Sequence, residues 1–137
     1  MNLLLAELIE TYRTNIETFT GVNVTLGMPD DSEPGLFLFP YNFLLDPHMR
    51  NAPTRRMESQ PSPPFFLKCL LVSSPSVDYV ILNKGLNYLS TSPGFEFNNG
   101  KTRAVQESIS TQELTSIFIS AGSRYRLSIP FTMKYSE

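Results

Sequence analysis

The sequence predicts a single α/β (α+β) domain in which about three helices pack on a mostly antiparallel sheet of four to five strands. Three observations lead to this class. Segments with apolar residues at helical spacing are interspersed with short apolar segments typical of strands. The 137 residues fit one domain, and their 41% apolar content is sufficient for a core. Turn-forming residues such as glycine, proline and asparagine separate the segments.

Helical periodicity marks three segments. Apolar residues at three- and four-residue spacing predict an amphipathic helix over residues 3–19, which Gly21 is expected to end. A second helix is predicted over residues 75–89, although its middle contains residues of weaker helical propensity. The third helix is predicted to begin at a capping box made by Ser110 and Glu113.

Apolar strand patterns fill the intervals between these helices. Strands are expected at residues 22–26, 36–45, 65–73, 95–97, 102–109 and 125–135. The second and third are apolar on both faces, which predicts central positions in the sheet. Pro40 predicts an edge or a bulge in the second strand, because proline cannot donate a ladder hydrogen bond. The Asn98–Lys101 segment predicts a hairpin turn between the strands that flank it.

The last strand alternates regularly between apolar and polar residues. Its odd-numbered residues are predicted to pack on the helices, so aspartate in place of Leu127 is expected to unfold the domain. Its even-numbered residues are predicted to face solvent: Arg126, Ser128, Thr132 and Lys134. Pro130 predicts an edge or bulged strand that is open to pairing with another chain.

The distribution of charge limits the classes of partner. The chain carries 11 basic and 13 acidic residues, a net charge of −2, which argues against a general nucleic-acid binder. Seven acidic residues against Arg13 give residues 1–46 a net −6, and ten basic against six acidic residues give residues 47–137 a net +4. This division suits head-to-tail contact between copies, although two separately solvated surfaces would produce the same pattern.

No group of residues in the sequence has the spacing of a catalytic, metal or cofactor site. His48 is the single histidine and has no second ligand at metal-binding spacing. Cys69, the single cysteine, lies in an apolar strand and is expected to be a buried, inert thiol. We therefore expect neither enzymatic activity nor a bound cofactor. No apolar run approaches the about 20 residues that cross a bilayer, and the N-terminus lacks the basic start of a signal peptide.

The most unusual segment is the loop over residues 47–64, which is rich in proline and arginine and has neither helical nor strand periodicity. Loops longer than about 12–15 residues are uncommon in compact domains. Arg50, Arg55 and Arg56 can form bidentate pairs with carboxylates. We therefore expect this arm to contact another subunit and to be protected from proteases in an assembly.

Several blocks of the sequence, taken in order, resemble one protein family. They are Leu-Phe-Leu-Phe at residues 36–39, Arg50-Asn51, Pro63-Pro64 with the apolar residues that follow, and Tyr-Arg-Leu-Ser at residues 125–128. This series resembles the N-terminal domain of the cap, or tail-terminator, proteins of contractile injection systems, the phage-tail-like particles of bacteria. The resemblance extends over residues 3–135.

The resemblance implies a tail-terminator-like fold whose copies form a ring, expected to be hexameric, on the distal end of the tube and sheath. Such a ring would end polymerisation of the tube and sheath. The resemblance implies neither nucleic-acid binding nor insertion into a membrane. The protein would be assembled in the bacterial cytoplasm and then be part of a phage tail or injection particle. Candidate contact residues are Arg50, Asn51, Arg55, Arg56, Pro63, Pro64, Arg124, Arg126 and Lys134.

Two alternatives stay open at this point. One is a tube adaptor or head–tail connector of the same kind of particle. The other is a small binding module that uses the aromatic residues of the sheet to hold a ligand or peptide.

Overall fold

The computed structural model describes residues 4–29, 32–45, 64–75, 78–91, 94–97 and 100–136. In this part of the chain, three helices and six strands form one α+β unit, so the predicted class is confirmed and the sheet exceeds the expected four to five strands. The elements are α1 (Leu4–Thr20), β1 (Val24–Leu26), β2 (Gly35–Leu45), β3 (Phe65–Ser74), α2 (Tyr79–Thr91), β4 (Gly94–Phe97), β5 (Gly100–Gln106), α3 (Thr111–Ser120) and β6 (Ser128–Ser136).

The described strands form one sheet in the order β1-β2-β3-β6-β5-β4. β1 and β2 are parallel, and every other neighbouring pair is antiparallel. The sheet is thus mostly antiparallel, as predicted. Its centre is formed by β3 and β6.

Helices cover both faces of this sheet. On one side, which we call the first face, α1 and α2 bury a core that includes Leu8, Tyr12 and Ile16 of α1. On the opposite side, the second face, α3 contributes Leu114 and Phe118 to a smaller cluster. Strands that lie between two helical layers must be apolar on both sides, which explains the long apolar runs in β2 and β3.

The predicted helix ends are confirmed for α1 and α3. The Gly21 N–H donates to the carbonyl oxygen of Glu17 at 2.9 Å, and Gly21 has a φ of 71° that favours glycine. Ser110 caps α3, because its hydroxyl accepts a hydrogen bond from the Glu113 N–H at 3.0 Å. α2 begins later than expected, because its first turn is capped by Asp78, whose carboxylate accepts from the Ile81 N–H at 3.1 Å.

A bulge interrupts β2 at the position that Pro40 predicts. Pro40 pairs with Cys69 and Asn42 pairs with Lys68, which leaves Tyr41 as the extra residue. Because side chains alternate along a strand, the bulge exchanges the two faces. Even-numbered residues of β2 face the first face before it, and odd-numbered residues do so after it.

The prediction that the last strand lies at an edge is wrong, since β6 lies between β3 and β5. Proline is tolerated there because it sits where β5 ends. Gln106, the last residue of β5, pairs with Phe131, and the Pro130 carbonyl accepts from the Glu107 N–H at 3.0 Å. The nitrogen of Pro130 therefore points to the side of β6 on which the ladder stops, so the missing donor costs little.

The sequence predicts that the odd-numbered residues of the segment 125–135 are buried. This prediction is correct for the apolar residues of β6 and wrong for the residues before the strand. Buried residues of β6 on the first face are Ile129, Phe131, Met133 and Tyr135. The strand begins only at Ser128, so Tyr125 and Leu127 are 48% and 55% exposed and Arg126 is 5% exposed. Strand alternation does not apply to loop residues. Thr132 is also buried, because the second face is covered at the centre of the sheet.

Candidate assembly interface

Part of the second face lies beyond α3 and carries basic side chains. Lys101 and Arg103 alternate with buried residues of β5 and are exposed on this face. Arg103 pairs directly with Lys134 of β6, and Lys134 pairs on its other side with Phe66 of β3. We call Lys101, Arg103 and Lys134 the basic patch.

An aromatic ring and a shallow cavity complete this surface. The Lys134 ammonium lies 5.3 Å from the centroid of the Phe66 ring, within the range of a cation–π contact. A cavity of about 360 Å³ adjoins the patch, and its lining includes Phe66, Lys101, Arg103 and Ser136. The patch is therefore a concave, positively charged surface with an apolar component.

Like charges face each other within the basic patch. Side chains that are directly opposite on neighbouring strands interact, and two cations in such positions destabilise a sheet. Arg103 and Lys134 are such a pair. None of the ion pairs Arg13–Glu10, Arg13–Glu17 and Lys68–Glu107 includes a residue of the basic patch. Glu96 of β4 lies directly opposite Lys101, so the like-charge contact that remains is the one between Arg103 and Lys134. That contact favours an anionic group supplied from outside the chain.

One side of α1 carries three acidic residues, two of which form ion pairs with Arg13 of the same helix. Glu7, Glu10 and Glu17 lie at three- and seven-residue spacing, which places them on one stripe of the helix. We call these three residues the acidic stripe. Glu7 and Glu10 are exposed, and a hydrogen bond from Arg13 holds the pKa of Glu10 below its ordinary value. The acidic stripe and the basic patch lie on opposite sides of the sheet.

Side chains of α1 also cover the outer edge of β1. The Val24 N–H donates to the Glu17 carboxylate at 3.0 Å, and the Arg13 guanidinium donates to the Val24 carbonyl at 3.0 Å. These bonds occupy the backbone groups that another strand would need at this residue. At the other end of the described sheet, the edge is the four-residue strand β4.

Exposed apolar residues concentrate in two other places. Phe43, Leu44 and Leu45 are exposed at the end of β2, where the Phe43 ring lies 5.0 Å from that of Phe65. In the second place, Tyr79 and Leu127 line a groove between α2 and the start of β6. Exposed apolar side chains that lie together are typical of contact surfaces.

The single cysteine of the chain lies in the core, within β3. Burial raises the pKa of the Cys69 thiol further above neutral pH, and the predicted burial of this residue is confirmed. Within the ranges given above, no three His, Cys, Asp or Glu residues lie together so that they could hold a metal ion. No helix in the same ranges has the length and apolar character that crossing a membrane requires.

The candidate contact residues have different positions. Outside the described residues lie Arg50, Asn51, Arg55, Arg56 and Pro63, together with His48. Pro64 is buried just before β3, and Arg124 is exposed after α3. Arg126 is buried, contrary to expectation, and its guanidinium donates to the Pro29 carbonyl at 3.5 Å. Lys134 alone among the candidates belongs to the basic patch.

Lys101, Arg103 and Phe66 were not among the sequence candidates. The two-residue spacing of Lys101 and Arg103 indicates that both lie on one face of a strand. Their proximity to Lys134 depends on the pairing of β5 with β6, which the sequence does not reveal.

Comparison with known proteins agrees with this fold. The family model described as the Pvc16 N-terminal domain matches residues 2–136. No curated protein matches the chain. A cryo-EM structure of an extracellular contractile injection system, described as the PVC sheath/tube terminator in the extended state, matches with a TM-score of 0.67 and 16% sequence identity. The match covers 94% of this chain and 54% of the terminator chain, so this chain spans about half of that protein.

The family resemblance found in the sequence is thus confirmed, and the chain belongs to the Pvc16 N-terminal domain family.

Proposed function

We propose that this protein is a structural subunit that terminates the tube and sheath of a contractile injection system or a related tail. The observation that carries the proposal is the agreement of fold with a sheath/tube terminator over 94% of the chain, together with the family match over residues 2–136. In this role the protein binds the last layer of tube and sheath subunits and prevents the addition of another.

We further propose that copies of the chain act as a closed ring of six. A ring requires a head-to-tail interface, in which two different surfaces of the same chain meet. The acidic stripe on α1 and the basic patch on the second face are two such surfaces of opposite charge. The exposed apolar residues at the end of β2 provide a further contact surface for a tube or sheath subunit.

The proposal is tested by imaging particles from cells that lack this protein. Loss of a terminator removes the stop to polymerisation, so we expect tubes and sheaths of variable and excessive length in electron micrographs. Restoring the wild-type chain should restore a uniform length. Particles of normal length without the protein would overturn the proposal, and the absence of any tube would indicate an adaptor or connector instead.

The ring is tested separately on the purified protein. Native mass spectrometry and light scattering should detect a hexamer, whose amount increases with concentration. A protein that stays monomeric or dimeric at every concentration, and in extracts of particles, would overturn the ring and favour a binding module.

A further inference from the structure

The basic patch places two cations against each other at a cost to the fold. Arg103 and Lys134 are direct cross-strand neighbours on the exposed part of the second face, and no carboxylate of a described residue forms an ion pair with either. Lys101 lies two residues along β5 on the same face. Such a cluster is compensated when carboxylates from another molecule bind to it.

The acidic stripe has the spacing that this patch requires. Residues two apart on a strand are separated by about 6.6–6.8 Å, which is the distance between the backbone positions of Lys101 and Arg103. Residues three apart on a helix have β-carbons about 5–6 Å apart, which describes Glu7 and Glu10. Both side-chain pairs are long enough to accommodate the small difference, so two charge pairs can form at once. Glu10 then lies between Arg13 of its own helix, which already donates to it at 3.1 Å, and the patch of the other copy.

The position of the two surfaces determines which molecule supplies the carboxylates. α1 packs on the first face and the basic patch lies on the second, so the layers of the sheet and α1 separate them within one chain. The acidic stripe of one copy therefore cannot reach the patch of the same copy, where Glu96 of β4 lies opposite Lys101 and Arg103 lies opposite Lys134. A second copy can, and its own patch then remains available for a third, which is the pattern that closes into a ring.

We propose that the basic patch of one copy binds the acidic stripe of α1 in the next copy, through Lys101 and Arg103 with Glu7 and Glu10. The Phe66 ring supports Lys134 beside this contact. This inference rests on the proposed ring and identifies its interface. Contact between exposed charges is screened over about 8 Å at 0.15 M ionic strength, so the interface weakens as salt increases.

Charge reversal on both sides tests the pairing. K101E/R103E and E7K/E10K should each weaken self-association by about a hundredfold, because like charges then face each other across the interface. The variant that carries all four substitutions should recover association, since it exchanges the two signs. K84E reverses an exposed charge on α2, which is a different helix from that of the acidic stripe and lies on the opposite face of the sheet from the basic patch, and it should associate like the wild type. Circular dichroism should show that every variant is folded.

Covalent trapping tests the contact in the assembled particle. Glu10→Cys and Arg103→Cys in one chain should give a ladder of disulfide-linked oligomers after mild oxidation, because the two positions cannot meet within one copy. Cys69 is buried and does not interfere. Single-cysteine variants should give no ladder.

The outcomes separate this interface from the proposed function. If K101E/R103E associates like the wild type and no ladder forms, the interface is wrong although length control stays intact. If K101E/R103E self-associates normally but fails to join particles, the patch binds an acidic surface of a tube or sheath subunit, and the second copy is excluded as its partner. Normal lengths in particles without the protein would instead overturn the proposed function itself.

Discussion

Gly85 of α2 lies directly against Leu71 of β3. A β-carbon built on Gly85 would lie 2.5 Å from the Leu71 Cδ2 atom and 3.5 Å from the Leu36 Cδ1 atom. Glycine weakens a helix by about 1 kcal/mol relative to alanine, so the residue is unfavourable for α2 by itself. Its presence allows the helix to approach the centre of the sheet.

Gly85→Ala is expected to destabilise the domain by about 1–2 kcal/mol. Overpacking a core costs about 1–3 kcal/mol, and we expect a cost in the upper part of that range because Leu71 is fully buried. The gain of about 1 kcal/mol in helix propensity offsets only part of this cost. Urea unfolding followed by circular dichroism measures the change. Asn87→Ala, at an exposed position of the same helix, should leave stability unchanged or slightly higher. An alanine at residue 85 that stabilises the protein would contradict the close contact.

Tyr12→Phe is expected to stabilise the domain by up to about 1 kcal/mol. The Tyr12 hydroxyl is fully buried and has no hydrogen-bond partner among the described residues, and an unsatisfied buried polar group costs about 1–3 kcal/mol. Tyr135→Phe is the matched control, because the Tyr135 hydroxyl donates to the Phe97 carbonyl at 3.2 Å. It should lose about 1 kcal/mol. Thermal unfolding measures both changes in stability. Equal changes for the two substitutions would contradict the difference in hydrogen bonding between the two hydroxyl groups.

Leu127→Asp is expected to leave the protein folded, which reverses the expectation from sequence. Leu127 is 55% exposed in the loop before β6, whereas Ile129 is 8% exposed within the strand. Ile129→Asp should unfold the domain, because an unpaired charge at a buried site costs several kcal/mol against a total stability of about 5–15 kcal/mol. Near-ultraviolet circular dichroism of both variants decides the matter. If the Leu127→Asp variant unfolded, the prediction from sequence that Leu127 packs on the helices would be supported instead.

Stability is expected to fall at alkaline pH. Burial raises the pKa of Tyr88 to about 12, and burial together with the nearby Glu113 and Glu107 carboxylates raises the pKa of Tyr41 to about 12. Burial raises the pKa of Tyr12 further. A folded-state pKa above the unfolded value of about 10 means that the contribution to stability is complete below pH 10 and is lost as the pH rises through 12.

Urea unfolding at a series of pH values from 8 to 11.5 measures this loss. Tyr12→Phe should reduce the decline of the unfolding free energy above pH 10, because one group that releases its proton on unfolding has been removed. The same decline in the wild type and in this variant would show that Tyr12 does not contribute to it.

Local patterns in the sequence determined the elements whose formation depends on neighbouring residues. The apolar stripe of α1, the Ser110 cap of α3 and the bulge at Pro40 all appear where the pattern places them. Each depends on interactions within a few residues: helical spacing, one side-chain bond to the first turn, or one missing backbone donor. The order of family-like blocks likewise indicated the correct family, because such blocks are read along the chain.

Only the tertiary structure decided which strands are central, which loop residues are buried and where the charges meet. Pro130 indicated an edge, yet β5 ends beside it and the strand is central. Arg126 continued an alternating pattern, yet it lies in a loop and reaches the Pro29 carbonyl, a residue far away in sequence. The basic patch joins Arg103 to Lys134 through strand pairing. Strand pairing and loop burial depend on contacts between segments that are distant in sequence. The packing of the whole core, rather than the local sequence, selects one pairing register among many.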